Sequence, residues 1–258
     1  MHQESSFIFA LKNLTLEGKM TFGILSVLSL VAWTVIVGKI FALRKQQRKA
    51  DLFYDRFGET TDPLELVGRD DDFEGAPPYS VYDYGVRELQ RLREKFGTGE
   101  GKTNGSGPRL PGKVLARLRA SIERGMGEES ARLSSGMVIL ALCISGGPFL
   151  GLMGTVIGVM ETFSAVGQAG EANFAAIAPG VAGALLNTVL GLFVAIPALF
   201  AFNLLQRKIG ALETDMATFA SELEGLLVMD YVDVDASSLH EEPSSRSMPS
   251  SSDFSTTH

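Results

Sequence analysis

Three long runs of the chain, 20–38, 133–160 and 172–206, carry no charged side chain. A soluble core spreads its apolar residues at helix or strand period; here they run on without interruption. A helix needs roughly 20 apolar residues to cross the hydrocarbon core of a bilayer. The first run just reaches that length and the other two exceed it. The chain therefore reads as an all-α membrane protein with three transmembrane helices.

Charge at the ends of the runs sets the expected topology. Lys39, Arg44, Lys45, Arg48 and Lys49 follow the first run. They form a stop-transfer pattern rather than the small-residue cleavage site of a signal peptide. Basic flanks stay in the cytoplasm, which puts the N-terminus outside. The link after the second run, 162–171, has no Lys or Arg, as an external loop should. Arg207 and Lys208 mark the return to the cytoplasm. The expected order is an external N-terminal segment (1–19), a first transmembrane helix (20–43) and a cytoplasmic loop domain (44–132). A second transmembrane helix (133–162), an external loop (163–175) and a third transmembrane helix (176–206) come next. A cytoplasmic helix (207–232) and a disordered tail (233–258) complete it. The N-terminal segment reads either as a short amphipathic interfacial helix or as a disordered end.

Helical patterns are expected over 51–57 and 79–96, separated by the acidic run 68–78. A further helix over 113–132 should run straight into the second span. Those two longer spans should thus project into the cytoplasm as continuous helical extensions. The basic face before the second and the acidic face after the third are then placed to pair, at about 0–1 kcal/mol per exposed pair.

Several chemistries are excluded. The net charge of −7 argues against nucleic-acid binding. The single cysteine, Cys143, permits no intrachain disulfide, and His2, His240 and His258 all lie near the termini. No metal-ligand cluster and no nucleophile–base spacing is present. No cofactor or metal is expected, and the chain does not read as an enzyme. Within 97–112 the string GEGKT looks like a phosphate-binding loop. The first glycine that such a loop needs falls on Phe96, no apolar strand precedes it, and Pro108 and Pro111 interrupt any helix soon after. A solvated linker is the better reading.

The two longer spans hold the candidate site. Small residues recur at helical spacing: Gly147, Gly151, Gly154 and Gly158 in the second, Gly180, Gly183, Ala184 and Gly191 in the third. In lipid no hydrophobic force joins helices, so association relies on close backbone approach, which small residues permit. Each span also carries a threonine, Thr155 and Thr188, the second beside Asn187. An antiparallel arrangement brings both hydroxyls to similar depth. Two explanations stand for them. A hydroxyl can bond a carbonyl of its own helix, or both can line a polar path. The uncharged runs contain no Asp, Glu, Lys, Arg or His, and a proton path normally needs a titratable group of that kind; it would have to come from another chain.

The segments GPFLGLMGTVIGVMETF and APGVAGALLNTVLGLFVAIPALFAFN resemble the two motifs of the ExbB/TolQ/MotA proton-channel family. The likeness is close over 147–203 and looser in the three-span topology, and the ExbB and TolQ branches match better than MotA. The resemblance implies a homo-oligomer, a pentamer, in the bacterial inner membrane. It implies an ExbD- or TolR-like single-span partner whose aspartate takes up protons in the pore. It also implies a TonB- or TolA-like protein through which the proton-motive force drives envelope transport. Thr155 and Thr188 match the family's pore-lining threonines, and Pro148 and Pro197 its prolines. Gly183 stands where the family often has a glutamate, so a relay through that position is in doubt. The alternative is a non-conducting scaffold in the membrane that anchors a partner complex.

Overall fold

The computed structural model describes residues 6–12, 14–60, 62–67, 73–96, 110–169 and 174–233. The GEGKT string and all but the first residue of the expected tail lie outside the described residues. The chain forms α1 (Ser6–Lys12), α2 (Leu16–Glu59), α3 (Pro77–Phe96), α4 (Leu115–Ser134), α5 (Met137–Ala169) and α6 (Phe174–Tyr231). A short 3-10 turn, Gly112–Val114, precedes α4. Two two-residue strands, β1 (Leu110–Pro111) and β2 (Val232–Asp233), pair in parallel. An all-helical reading does not anticipate that pairing. Tyr231 beside it donates to Asp62 Oδ1 at 2.8 Å and lies under the Arg93 guanidinium.

Helices α2, α5 and α6 are long and apolar enough to cross a membrane. With 44 residues α2 is about 66 Å long, and with 58 residues α6 is about 87 Å. Both far exceed the ~30 Å hydrocarbon core. The 51–57 segment is therefore the end of the first long helix, not a separate one. No proline interrupts residues 39–59, and RKQQRKAD is a run of good helix formers. The Thr15 hydroxyl caps α2 by accepting from the Gly18 N–H at 3.2 Å.

The second span departs from expectation at its start. Helix α4 stops at Ser134, and Gly136 adopts φ +80°, a backbone conformation that side chains disfavour. Ser135 closes α4 by donating its hydroxyl to the Arg132 carbonyl at 2.8 Å. A break therefore separates α4 from α5, and only α2 and α6 extend unbroken from the apolar half. The link between the second and third spans is also shorter than the expected 163–175. Helix α5 continues to Ala169 and α6 begins at Phe174. Residues 163–169 contain no proline to stop a helix.

The bundle has an apolar and a polar half. In the apolar half α5 and α6 pack closely, with the first part of α2 across both. Helix α1 and the residues after it dock there by burying Ala10 and Leu14 against Leu186. The outward faces carry large apolar residues such as Phe149, Phe193 and Phe200. In the polar half the end of α2, α3, α4 and the end of α6 close around Phe53, which is fully buried.

Candidate functional site

The site is built from the glycine ladder between α5 and α6. A Cβ on Gly147 would lie 3.0 Å from the Gly191 carbonyl oxygen, and one on Gly151 2.7 Å from that of Asn187. A Cβ on Gly158 would lie 2.9 Å from the Ala184 Cβ, and Gly180 faces the Thr162 side chain. Gly183 is buried in the same helix. The predicted small residues thus set the register of an antiparallel pair whose backbones nearly touch.

Close approach leaves the polar groups of this region in the seam. Asn187 is completely buried. Its amide lies between Gly154 of α5 and Gly18 of α2. A Cβ on Gly154 would stand 2.9 Å from Asn187 Nδ2, and one on Gly18 3.5 Å from it. Neither Asn187 Oδ1 nor Nδ2 has a hydrogen-bond partner among the described residues. Buried amides are ordinarily paired, and an orphan costs about 1–3 kcal/mol.

The neighbouring hydroxyls are satisfied within their own helices. Thr155 is buried and donates to the Leu152 carbonyl at 2.7 Å. Thr162 donates to Gly158 at 2.7 Å and Thr21 to Glu17 at 3.0 Å. Each keeps its oxygen lone pairs as an acceptor. Thr188 is half-buried at the margin of the seam, against Gly151. The register places Thr188 about one turn, ~5 Å, from the level of Thr155. The two hydroxyls are near one another in depth but not level, and Asn187 lies between them.

Two residues that sequence reasoning passed over, the exposed Glu17 and the half-buried Glu161, lie at the end of the seam nearest the α5–α6 turn. On sequence alone Glu161 closes the second run. Because α5 continues to Ala169, it lies two turns inside the helix end. There it faces the Glu17 carboxyl of α2 and the hydroxyl of Thr15, which caps that helix, within hydrogen-bonding reach, and its Oε2 is enclosed without a partner. The signal in the sequence was the acidic–threonine pattern shared by Thr15, Glu17, Glu161 and Thr162. Among the described residues no group of His, Cys, Asp and Glu is placed to hold a metal ion.

Three membrane-capable helices, with their polar groups gathered in the seam, define an all-α membrane protein whose chemistry lies between helices. Residues 97–218, which include both motifs, match the MotA/TolQ/ExbB proton channel family. The Tol-Pal system protein TolQ of Haemophilus influenzae is 29% identical over 231 residues, 88% of this chain and 96% of that protein. The biopolymer transport protein ExbB of Xanthomonas campestris pv. campestris is 32% identical over 193 residues, 74% of this chain and 73% of that protein. The ExbB of Neisseria gonorrhoeae is 39% identical over a shorter stretch of 106 residues, 41% of this chain and 48% of that one. The chain belongs to the MotA/TolQ/ExbB proton channel family, on its ExbB/TolQ-like side.

Proposed function

We propose that this chain is the channel-forming subunit of a proton-driven motor in the bacterial inner membrane, with its N-terminus periplasmic and its C-terminus cytoplasmic. In this reading copies of the chain assemble as a pentamer around an ExbD- or TolR-like single-span partner. The motor couples the proton-motive force to envelope transport through a TonB- or TolA-like protein. The observation that carries the reading is the unpartnered, fully buried Asn187 amide between three membrane-capable helices. An apolar residue would pack there at lower cost; an amide suits a place that water or a partner's carboxyl visits.

The pore wall is then formed by α5 and α6. Thr188 stands at its margin, with Thr155 and Asn187 directly behind it. Their lone pairs and the amide N–H hold water or the partner's carboxyl in place. Gly183 offers no side chain one turn from Asn187, so this chain does not relay protons through that position. Glu161 and Glu17, about 9 Å nearer the α5–α6 turn than Asn187, are carboxyls placed on the periplasmic side of it.

The test is cytoplasmic acidification in cells that co-express the chain and its single-span partner. Asn187→Leu should lower proton flux about tenfold, the factor carried by one lost hydrogen bond of about 1.4 kcal/mol. Thr155→Ala and Thr188→Val should each reduce it less. If wild type adds no flux over cells that express the partner alone, the non-conducting scaffold is the correct reading; flux unchanged in all three variants, with the oligomer intact, would count against a path lined by these residues.

A further inference from the structure

A groove of about 610 Å³ runs between α2 and α6 on the flank away from the glycine ladder. Its volume falls in the range of sites that hold a small molecule. One end is apolar, lined by Ile40, Leu43, Ala201, Leu204 and Leu205. Leu43 and Leu205 are buried and form the floor, while Leu204 is exposed along the wall. The next turn carries Arg44, Arg207 and Lys208. The two helices run side by side in the same direction here, and Lys208 Nζ donates to Gln47 Oε1 at 3.4 Å, which fixes their relative level.

The groove straddles a chemical boundary. The uncharged run of α2 ends at Lys39 and that of α6 at Arg207. Ala201 and Leu204 therefore lie on the hydrocarbon side, Ile40 at the boundary one residue past Lys39, and the three cations at head-group level. All three cations are exposed. Among the described residues neither Arg44 nor Arg207 makes an ion pair. The carboxylate lining the groove is Asp215, two turns beyond Lys208 and about 10 Å away along the helix. Its charge keeps an anion on the Arg44 side.

We propose that this groove is a binding site for an anionic phospholipid, with its phosphate held by Arg44, Arg207 and Lys208 and an acyl chain laid along Ile40, Leu204 and Ala201. A free phosphate would use the cations and leave the apolar lining wet. A lipid with an anionic head uses both ends, and the net charge at the head-group end favours it over a zwitterionic one.

The test uses the full-length chain in nanodiscs with equal phosphatidylglycerol and phosphatidylethanolamine, with retained lipid read by native mass spectrometry after release into mild detergent. Wild type should retain phosphatidylglycerol in preference. Substituting Arg44→Gln, Arg207→Gln and Lys208→Gln should reduce that preference by roughly fivefold for each cation removed, with helical content unchanged. Leu204→Trp, which fills the apolar end, should lower retention of the lipid without changing the size of the assembly. Equal retention of both lipids by wild type, or an undiminished preference in the triple variant, would overturn the proposal. So would displacement of the lipid by inorganic phosphate, which would make the site a free-anion site. A change of assembly size in Leu204→Trp with lipid retention intact would assign the groove to a contact between copies of the chain.

Discussion

Helix α6 packs by opposite means along its two halves. In the apolar half it meets α5 through missing side chains, with Gly147, Gly151 and Gly158 bringing the backbones together. In the polar half it meets α2 through large rings. Phe219 lies edge-on to Phe53 at 5.4 Å and to Phe57 at 5.1 Å, and within 5.7 Å of Tyr54. Phe53 also contacts Phe73, Tyr79 and Tyr82. The solvent explains the difference. Water rewards the burial of apolar area at about 25 cal/mol per Å². Lipid gives no such reward, and what remains is close contact and the pairing of polar groups.

The comparison predicts that the halves respond to opposite substitutions. Phe53→Ala should produce the largest effect, because it empties the centre of the aromatic cluster. We expect a loss of about 3–5 kcal/mol, read as a lower melting temperature and as faster hydrogen exchange in α3 and α4. Exchange across the α5–α6 ladder should stay unchanged. If both halves loosen together, the two packing modes are not separate.

Gly151→Ala tests the other half with the smallest possible addition. The new Cβ would lie 2.7 Å from the Asn187 carbonyl oxygen, a backbone atom that cannot move alone. The expected cost is about 1–3 kcal/mol, read as loss of disulfide cross-linking between cysteines placed on α5 and α6. Gly146→Ala is the control: a Cβ there meets nothing within 4 Å, and the variant should behave as wild type. Equal effects at the two glycines would remove close approach as the explanation.

The sequence showed the ladder more clearly than the cluster, for a physical reason. Uncharged length announces a span, and small residues spaced along it announce a contact face, so the spans and Gly147 to Gly191 were legible. Aromatic residues scattered from Phe53 to Phe219 announce buried faces without saying which face meets which. Only the folded chain brings them to one point. The break before α5 rests on one φ value at Gly136, and Ser-Ser-Gly does not dictate it. Asn187 was legible as a polar residue beside Thr188. Its orphan amide was not, because lacking a partner is a property of three helices at once. The place of Glu161 beside Glu17 and Thr15 was not legible because those neighbours are far away in sequence.

Glu129 sharpens the contrast on the polar side, where a charge is buried beside a partner instead of being excluded. It is 4% exposed and accepts from Arg132 Nη2 at 2.6 Å. Burial raises its carboxyl above the ordinary value more strongly than the Arg132 guanidinium and the Ser80 hydroxyl lower it. The fold therefore favours the protonated acid. The stability this provides is fully present below the ordinary carboxylate range and is lost as pH rises through the raised value. Glu129→Gln imitates the protonated form. Its melting temperature should exceed that of wild type at neutral pH, and the gap should close on acidification. A gap that widens toward low pH would show that the Arg132 pair, not burial, dominates.

The smallest effect belongs to the contact that looks strongest on paper. Arg119 of α4 donates from both Nε and Nη2 to Glu224 Oε1 of α6, at 3.0 and 2.6 Å. This realises the expected pairing of the basic face before the second span with the acidic face after the third. The arginine side chain is 59% exposed, however, and the glutamate 21%. Water competes for both partners, salt screens them, and ordering two long side chains costs entropy. A double-mutant cycle with Arg119→Ala and Glu224→Ala should return a coupling of about 0–1 kcal/mol, smaller at high salt. It should be well below the Phe53 effect even though both join α6 to the same polar half. A coupling that rivals Phe53→Ala would mean that charge rather than ring burial holds this half of α6, and the contrast between water and lipid packing would need a different cause.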